Sequence, residues 1–71
     1  MKARPDYAGS INNLALVLTK NGEHSQAVGC FNRAIASAPT FVRAYINLGT
    51  CFYSIGRVEE SLQPFKKALE L

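Results

Sequence analysis

Seventy-one residues that are 48% apolar and 18% charged make one small folded unit and argue against disorder, which goes with lower apolar content. The net charge of +3 is spread over scattered Lys and Arg with no run longer than Lys66-Lys67, a solvated basic surface and not the clustered footprint of a nucleic-acid binder. No apolar stretch approaches the ~20 residues of a membrane span, and Met1-Lys2-Ala3-Arg4-Pro5-Asp6 is too polar for a secretory signal, so a cytoplasmic location is expected.

Four amphipathic helices follow in chain order. In the first, Asp6 is the expected N-cap, and Ile11, Leu14, Ala15 and Leu18 fall at i, i+3, i+4 and i+7 as one apolar stripe. Asn21-Gly22 closes it, because glycine accepts the left-handed geometry that a helix C-terminus often needs. The second carries Ala27, Val28, Phe31, Ala34 and Ile35 on one face. It ends before Pro39, which pushes its preceding residue out of helical geometry. Thr40 is the expected N-cap of the third helix, which presents Tyr45, Leu48, Gly49 and Phe52 and stops at Gly56. The fourth presents Ser61, Leu62, Phe65, Ala68 and Leu69. Connections of about three residues force antiparallel hairpins. Pro64 interrupts the fourth pattern, since it offers no N–H to the Glu60 carbonyl and costs ~3 kcal/mol in a regular helix. A bend or a late start of that helix is expected.

These elements repeat. Pro5 returns as Pro39, Asn13-Leu14 as Asn47-Leu48, Gly22 as Gly56, Phe31 as Phe65 and Ala34 as Ala68, each 34 residues on. Tyr7 becomes Phe41, Ala15 becomes Gly49, Ala27 becomes Ser61 and Arg33 becomes Lys67. A fixed period of this size signals units that bury their apolar faces by stacking on copies of themselves. The small residues at Ala15/Gly49, Ala27/Ser61 and Ala34/Ala68 are expected where paired helices approach closely, with overpacking there costing ~1–3 kcal/mol.

Residues that carry chemistry are sparse. Cys30 and Cys51 lack CxxC spacing and read as small apolar side chains in a reducing compartment. With one histidine in the chain, no zinc site is expected. His24, at a helix start beside a turn, reads as an exposed polar residue and not as a catalyst. Glu59-Glu60 sit where carboxylates favour the positive end of a helix dipole. Neither a converging acid–base set nor a phosphate-cradling glycine loop is present, so no enzyme and no cofactor are expected.

The pattern resembles the tetratricopeptide repeat, a 34-residue unit written W-x2-L-G-x2-Y, then A-x3-F, then P. The second hairpin reads Tyr45-x2-Leu48-Gly49-x2-Phe52, then Ser61-x3-Phe65. The first reads Ile11-x2-Leu14-Ala15-x2-Leu18, then Ala27-x3-Phe31, then Pro39. Ile11 replaces the aromatic, Ala15 the glycine and Ser61 the alanine. The resemblance implies an all-α fold, two antiparallel helical hairpins stacked as a right-handed α-solenoid segment. Residues 1–7 would be a lead-in or the end of a preceding repeat, 8–41 the first repeat and 42–71 a truncated second.

The resemblance also implies a non-catalytic protein–protein interaction module, whose first helices line a concave groove. The positions carried over are Asn12, Asn13, Leu16 and Lys20, then Arg43, Ile46, Asn47, Thr50 and Tyr53. An Asn amide matches both the N–H and the C=O of an extended backbone, so Asn13 and Asn47 would form a short ladder along a bound peptide. Lys20 and Arg43 would add contacts to an acidic side chain or a C-terminal carboxylate. The Lys and Asn set of repeats that clamp acidic chaperone termini is incomplete, since Asn12 and Leu16 stand at its places. A further resemblance is to the late repeats of peroxisomal import receptors that read C-terminal targeting tripeptides. It is carried by Arg4-Pro5-Asp6-Tyr7 and by Phe41-Val42-Arg43-Ala44 followed by Asn47-Leu48-Gly49. In that reading Asn12, Arg43 and Asn47 would contact the ligand, although Ser10-Ile11 replace the usual tryptophan. RNA binding would use Tyr53 and Arg43 and is the less favoured reading, since the other aromatics belong to the packing stripe.

The edges carry an expectation of their own. Pro5 resembles the closing proline of an earlier repeat, and Leu71 stops just short of the next. Leu62, Leu69 and Leu71 lie where a following helix would cover them, so either a segment of a longer array or a self-associating chain is expected.

Overall fold

The computed structural model describes residues 7–71, so Asp6, the expected cap of the first helix, and the lead-in through Pro5 lie outside the described residues. Among the described residues four helices follow in order: α1 (Tyr7–Lys20), α2 (His24–Ser37), α3 (Val42–Ser54) and α4 (Val58–Glu70). α1 packs on α2 and α3 on α4 as two antiparallel hairpins, and α2 packs on α3 to stack one hairpin on the other. The expected all-α hairpin stack is the observed one.

The two hairpin turns are copies. Gly22, at φ 83°, ends α1, with Gly22 N–H donating to Thr19 O at 3.0 Å and Glu23 N–H to Leu18 O at 2.8 Å. Gly56, at φ 84°, ends α3, with Gly56 N–H donating to Tyr53 O at 3.1 Å and Arg57 N–H to Phe52 O at 2.9 Å. This paired bonding satisfies the last carbonyls of each helix and needs a left-handed residue at the glycine. Between the hairpins, Ala38 leaves helical geometry at φ −141° ahead of Pro39, as the proline requires.

Thr40 does not cap α3. The N-cap is Phe41, and no side chain bonds to the helix start. A backbone bond of 2.9 Å from Phe41 N–H to Ala38 O closes the turn one residue later than the cap pattern implies. Tyr45 Oη donates to Pro39 O at 2.7 Å and ties the first turn of α3 to the same link.

Ala15, Ala27, Phe31, Leu48 and Cys51 form the main core, with Leu16, Leu18, Val28, Cys30, Ile35 and Phe52 packed against it. A smaller cluster of Ala8, Ala34 and Ala44 lies beside it. Gly49 marks the closest approach of α3 to α4: a Cβ there would lie 2.7 Å from Phe65 Cε1. Ser61 is buried and its hydroxyl donates to Val58 O, so the serine at the alanine position is satisfied within its own helix.

Leu14 departs from the expected stripe. It is 53% exposed, whereas Leu48, one period later, is 6% exposed. The difference is a neighbour: α2 covers the Leu48 face of α3, and among the described residues no helix lies against the matching face of α1. The buried residues of α1 are Ala8, Asn12 and Ala15. Pro64 lies inside α4, which begins six residues earlier, so the helix does not start late. The ring is buried, and the loss of its N–H falls on one carbonyl.

Candidate interaction groove

α1 and α3 are the first helices of their hairpins and make direct contact. One hydrogen bond joins them through side chains, from Asn47 Nδ2 to Asn12 Oδ1 at 3.3 Å. Asn12 is 2% exposed, so its expected place on the groove surface is corrected: it lies beneath that surface as the acceptor of the bridge. A polar side chain this enclosed is retained only where a partner replaces water. Leu16 is half-buried and packs against the main core, so only part of it faces outward.

The remaining positions keep their polar ends outward. Asn13 and Lys20 on α1, and Arg43, Ile46, Thr50 and Tyr53 on α3, are exposed or partly so, while Asn47 is half-buried. The Asn pair that the structure brings together is therefore Asn12 with Asn47, not Asn13 with Asn47. Thr50 Oγ1 donates to Ile46 O at 2.9 Å, which leaves its oxygen as an acceptor. Phe41, Val42, Arg43 and Ile46 line an open recess of about 420 Å³ at the start of α3. Among the described residues Arg43 makes no ion pair within 4.0 Å, so its guanidinium is available to bond a carboxylate in its forked geometry. The face offers amide, hydroxyl and guanidinium groups, with Ile46 and Tyr53 as apolar contacts. That set can bind a chain by hydrogen bonds and shallow packing.

Three contacts escape the sequence reading. Besides the Asn bridge and the Tyr45 bond, Cys51 Sγ lies 3.8 Å from His24 Nδ1. His24 is thus half-buried against α3 rather than an exposed polar residue. The signal for the Asn bridge was an offset of one residue beyond the period, which a search for strict repeats passes over. Cys30 and Cys51 carry free thiols, half-buried and buried respectively. Among the described residues, no three His, Cys, Asp or Glu side chains cluster in a way that would hold a metal ion.

Comparison with known proteins fits this geometry. The family model described as tetratricopeptide repeat matches residues 12–71. The small glutamine-rich tetratricopeptide repeat-containing protein 2 of Saccharomyces cerevisiae is 34% identical over 71 residues, 100% of this chain and 20% of that protein. The peroxisomal targeting signal receptor of Eremothecium gossypii is 32% identical over 71 residues, again 100% of this chain and 12% of that protein. The crystal structure of MamA superposes with a TM-score of 0.85 at 38% identity, covering 90% of this chain and 37% of that one. The chain thus spans a fifth or less of these two curated relatives.

Proposed function

The chain belongs to the tetratricopeptide repeat family, and from that premise we propose that it is a non-catalytic protein–protein interaction module holding an extended peptide or partner segment along α1 and α3. Repeats of this family are generally interaction modules. The observation that carries the finer reading is the outward set of Asn13, Lys20, Arg43, Thr50 and Tyr53, mounted on two helices that the Asn12–Asn47 bond ties together. Arg43 beside an apolar recess suits a carboxylate next to an apolar side chain. The two free thiols suit a reducing compartment and support a site of action in the cytoplasm. Among the described residues no helix is long and apolar enough to cross a membrane.

A second reading makes the carboxylate a chain terminus. Its support is the likeness to the peroxisomal targeting signal receptor over the full 71 residues, together with an Arg43 that pairs with no acid among the described residues.

Amide NMR of the labelled chain against C-terminal peptides, each as free acid and as amide, tests both. Shifts on Asn13, Arg43 and Asn47 with either form would support recognition of peptide backbone. Shifts only with the free acid would support the terminus reading. Absence of shifts on α1 and α3 with every peptide would overturn the groove proposal. Single-stranded RNA serves as the contrasting ligand: tight binding that falls steeply with salt would sink the peptide reading.

A further inference from the structure

We propose that Asn21-Gly22, in the turn between α1 and α2, is a self-modifying site. Asn21 cyclises onto the backbone nitrogen of Gly22 when the turn opens, and the products keep the turn from closing again. The sequence has five asparagines. Asn12, Asn13, Asn32 and Asn47 lie inside helices, and the residue after each carries a side chain. Asn21 lies outside the helices, is exposed and precedes a glycine. The reaction needs those three conditions. A side chain on the attacking residue crowds the approach of its nitrogen to the asparagine amide, and a glycine leaves both the approach and the backbone rotation free.

The atoms balance with water as the co-reactant. Gly22 N loses its proton and bonds to Asn21 Cγ, the Cγ–Nδ2 bond breaks, and ammonia leaves with that proton. Water then opens the cyclic imide. Attack at one carbonyl leaves aspartate at position 21, and attack at the other leaves isoaspartate, in which the main chain runs through the side-chain carbon.

The closed turn blocks the first step. Asn21 N–H donates to Val17 O and Gly22 N–H to Thr19 O, both at 3.0 Å. Gly22 N must leave Thr19 O to reach Asn21 Cγ, so the reaction draws on the opened turn. The products act on the closed one. Isoaspartate adds a carbon to the main chain ahead of Gly22, which shifts the N–H groups of Gly22 and Glu23 off the carbonyls of Thr19 and Leu18. Aspartate puts a negative charge at the C-terminal end of α1, where the helix dipole disfavours it. The α3–α4 turn has the same backbone, with Gly56 at φ 84°, but Ile55 stands where Asn21 does. Of the two copied turns, the first alone carries the reactive pair. Nothing in this depends on what the α1–α3 groove binds.

Incubation of the 71-residue chain in mildly alkaline buffer, folded and in urea, tests the proposal. Peptide mapping by mass spectrometry with isoaspartate detection gives the rate at each asparagine. In urea Asn21 should react about tenfold faster than any other asparagine, and folding should slow it by about tenfold or more. Across a urea series its rate should follow the loss of amide-exchange protection at Gly22 and Glu23. The aged wild type should melt at a lower temperature and lose that protection. Asn21→Gln keeps an amide at this exposed position but lengthens it, so that ring closure is slow. Over the same incubation this variant should stay intact and melt as it did when fresh. A rate at Asn21 in urea no greater than at Asn13 or Asn47 would overturn the site. Equal rates at Asn21 in folded and unfolded chain would overturn control by the turn. Aged wild type that melts like fresh protein would overturn the effect of the products on closure.

Discussion

Asn47 reaches across from α3 to donate its amide N–H to Asn12 Oδ1 of α1 at 3.3 Å, the side-chain bond that joins the first helices of the two hairpins. Asn12 is enclosed, so its truncation removes a satisfied acceptor and leaves the half-buried Asn47 to find water. Asn12→Ala is expected to cost about 1 kcal/mol, the ordinary net worth of such a bond. In a double-mutant cycle, Asn12→Ala and Asn47→Ala should couple by about 0.5–1.5 kcal/mol. Urea denaturation of the four proteins measures it, and strictly additive losses would show that the bond contributes nothing to the stack.

Gly49 and Phe65 set the spacing of the second hairpin. A methyl group on residue 49 would lie within 2.9 Å of three atoms of the Phe65 ring, so Gly49→Ala displaces the ring at a cost of ~1–3 kcal/mol. Alanine also has a helix propensity better than glycine by ~1 kcal/mol, which offsets part of that cost. The two effects separate in a Phe65→Ala background. There the clash is gone and Gly49→Ala should stabilise, reversing its sign. Destabilisation in both backgrounds would refute the assignment of the glycine to this contact.

The period made most of the fold legible. It placed four helices, both glycine turns and the close approach at Gly49, because each depends on local geometry or on one residue of fixed size. It failed at Leu14, since a repeat equates Leu14 with Leu48 although burial depends on what lies beyond the repeat. It failed at Thr40 because a backbone bond from Phe41 to Ala38 holds that turn without a side-chain cap. The groove was legible only as a face. Which amides remain outward depends on the offset between α1 and α3, and that offset pairs Asn47 with Asn12 instead of leaving both free.

Phe31 and Phe65 occupy the same place in successive repeats, yet Phe31 is fully buried and Phe65 only half-buried. Phe31 lies in the core that both hairpins share. Phe31→Ala should therefore cost ~3–5 kcal/mol, enough to unfold much of a chain this small. Phe65→Ala should cost clearly less and leave the α1–α2 hairpin folded. Thermal unfolding of the two variants ranks them, and equal losses would mean that the second hairpin encloses its phenylalanine as fully as the first.

Pro64 raises a contest between backbone and packing. Inside α4 it deprives the Glu60 carbonyl of its helical donor, at a cost of ~3 kcal/mol against alanine. Its buried ring also lines an open recess bounded by α2, α3 and α4, with Asn32, Ile35, Tyr45, Leu48, Gln63 and Lys67. Pro64→Ala restores the N–H and loses only two methylene groups, worth ~0.8 kcal/mol each when buried. The backbone gain exceeds the packing loss, so the variant should be more stable by about 1–2 kcal/mol. For a domain of this size that raises Tm by roughly 4–16 °C. Amide exchange sharpens the reading. The N–H that Pro64→Ala introduces at this position should be protected as strongly as its helical neighbours, because the Glu60 carbonyl then accepts from it. A Tm that falls, with that new amide exchanging freely, would mean that the proline ring holds α4 in its packing against α3 and that the broken carbonyl costs little.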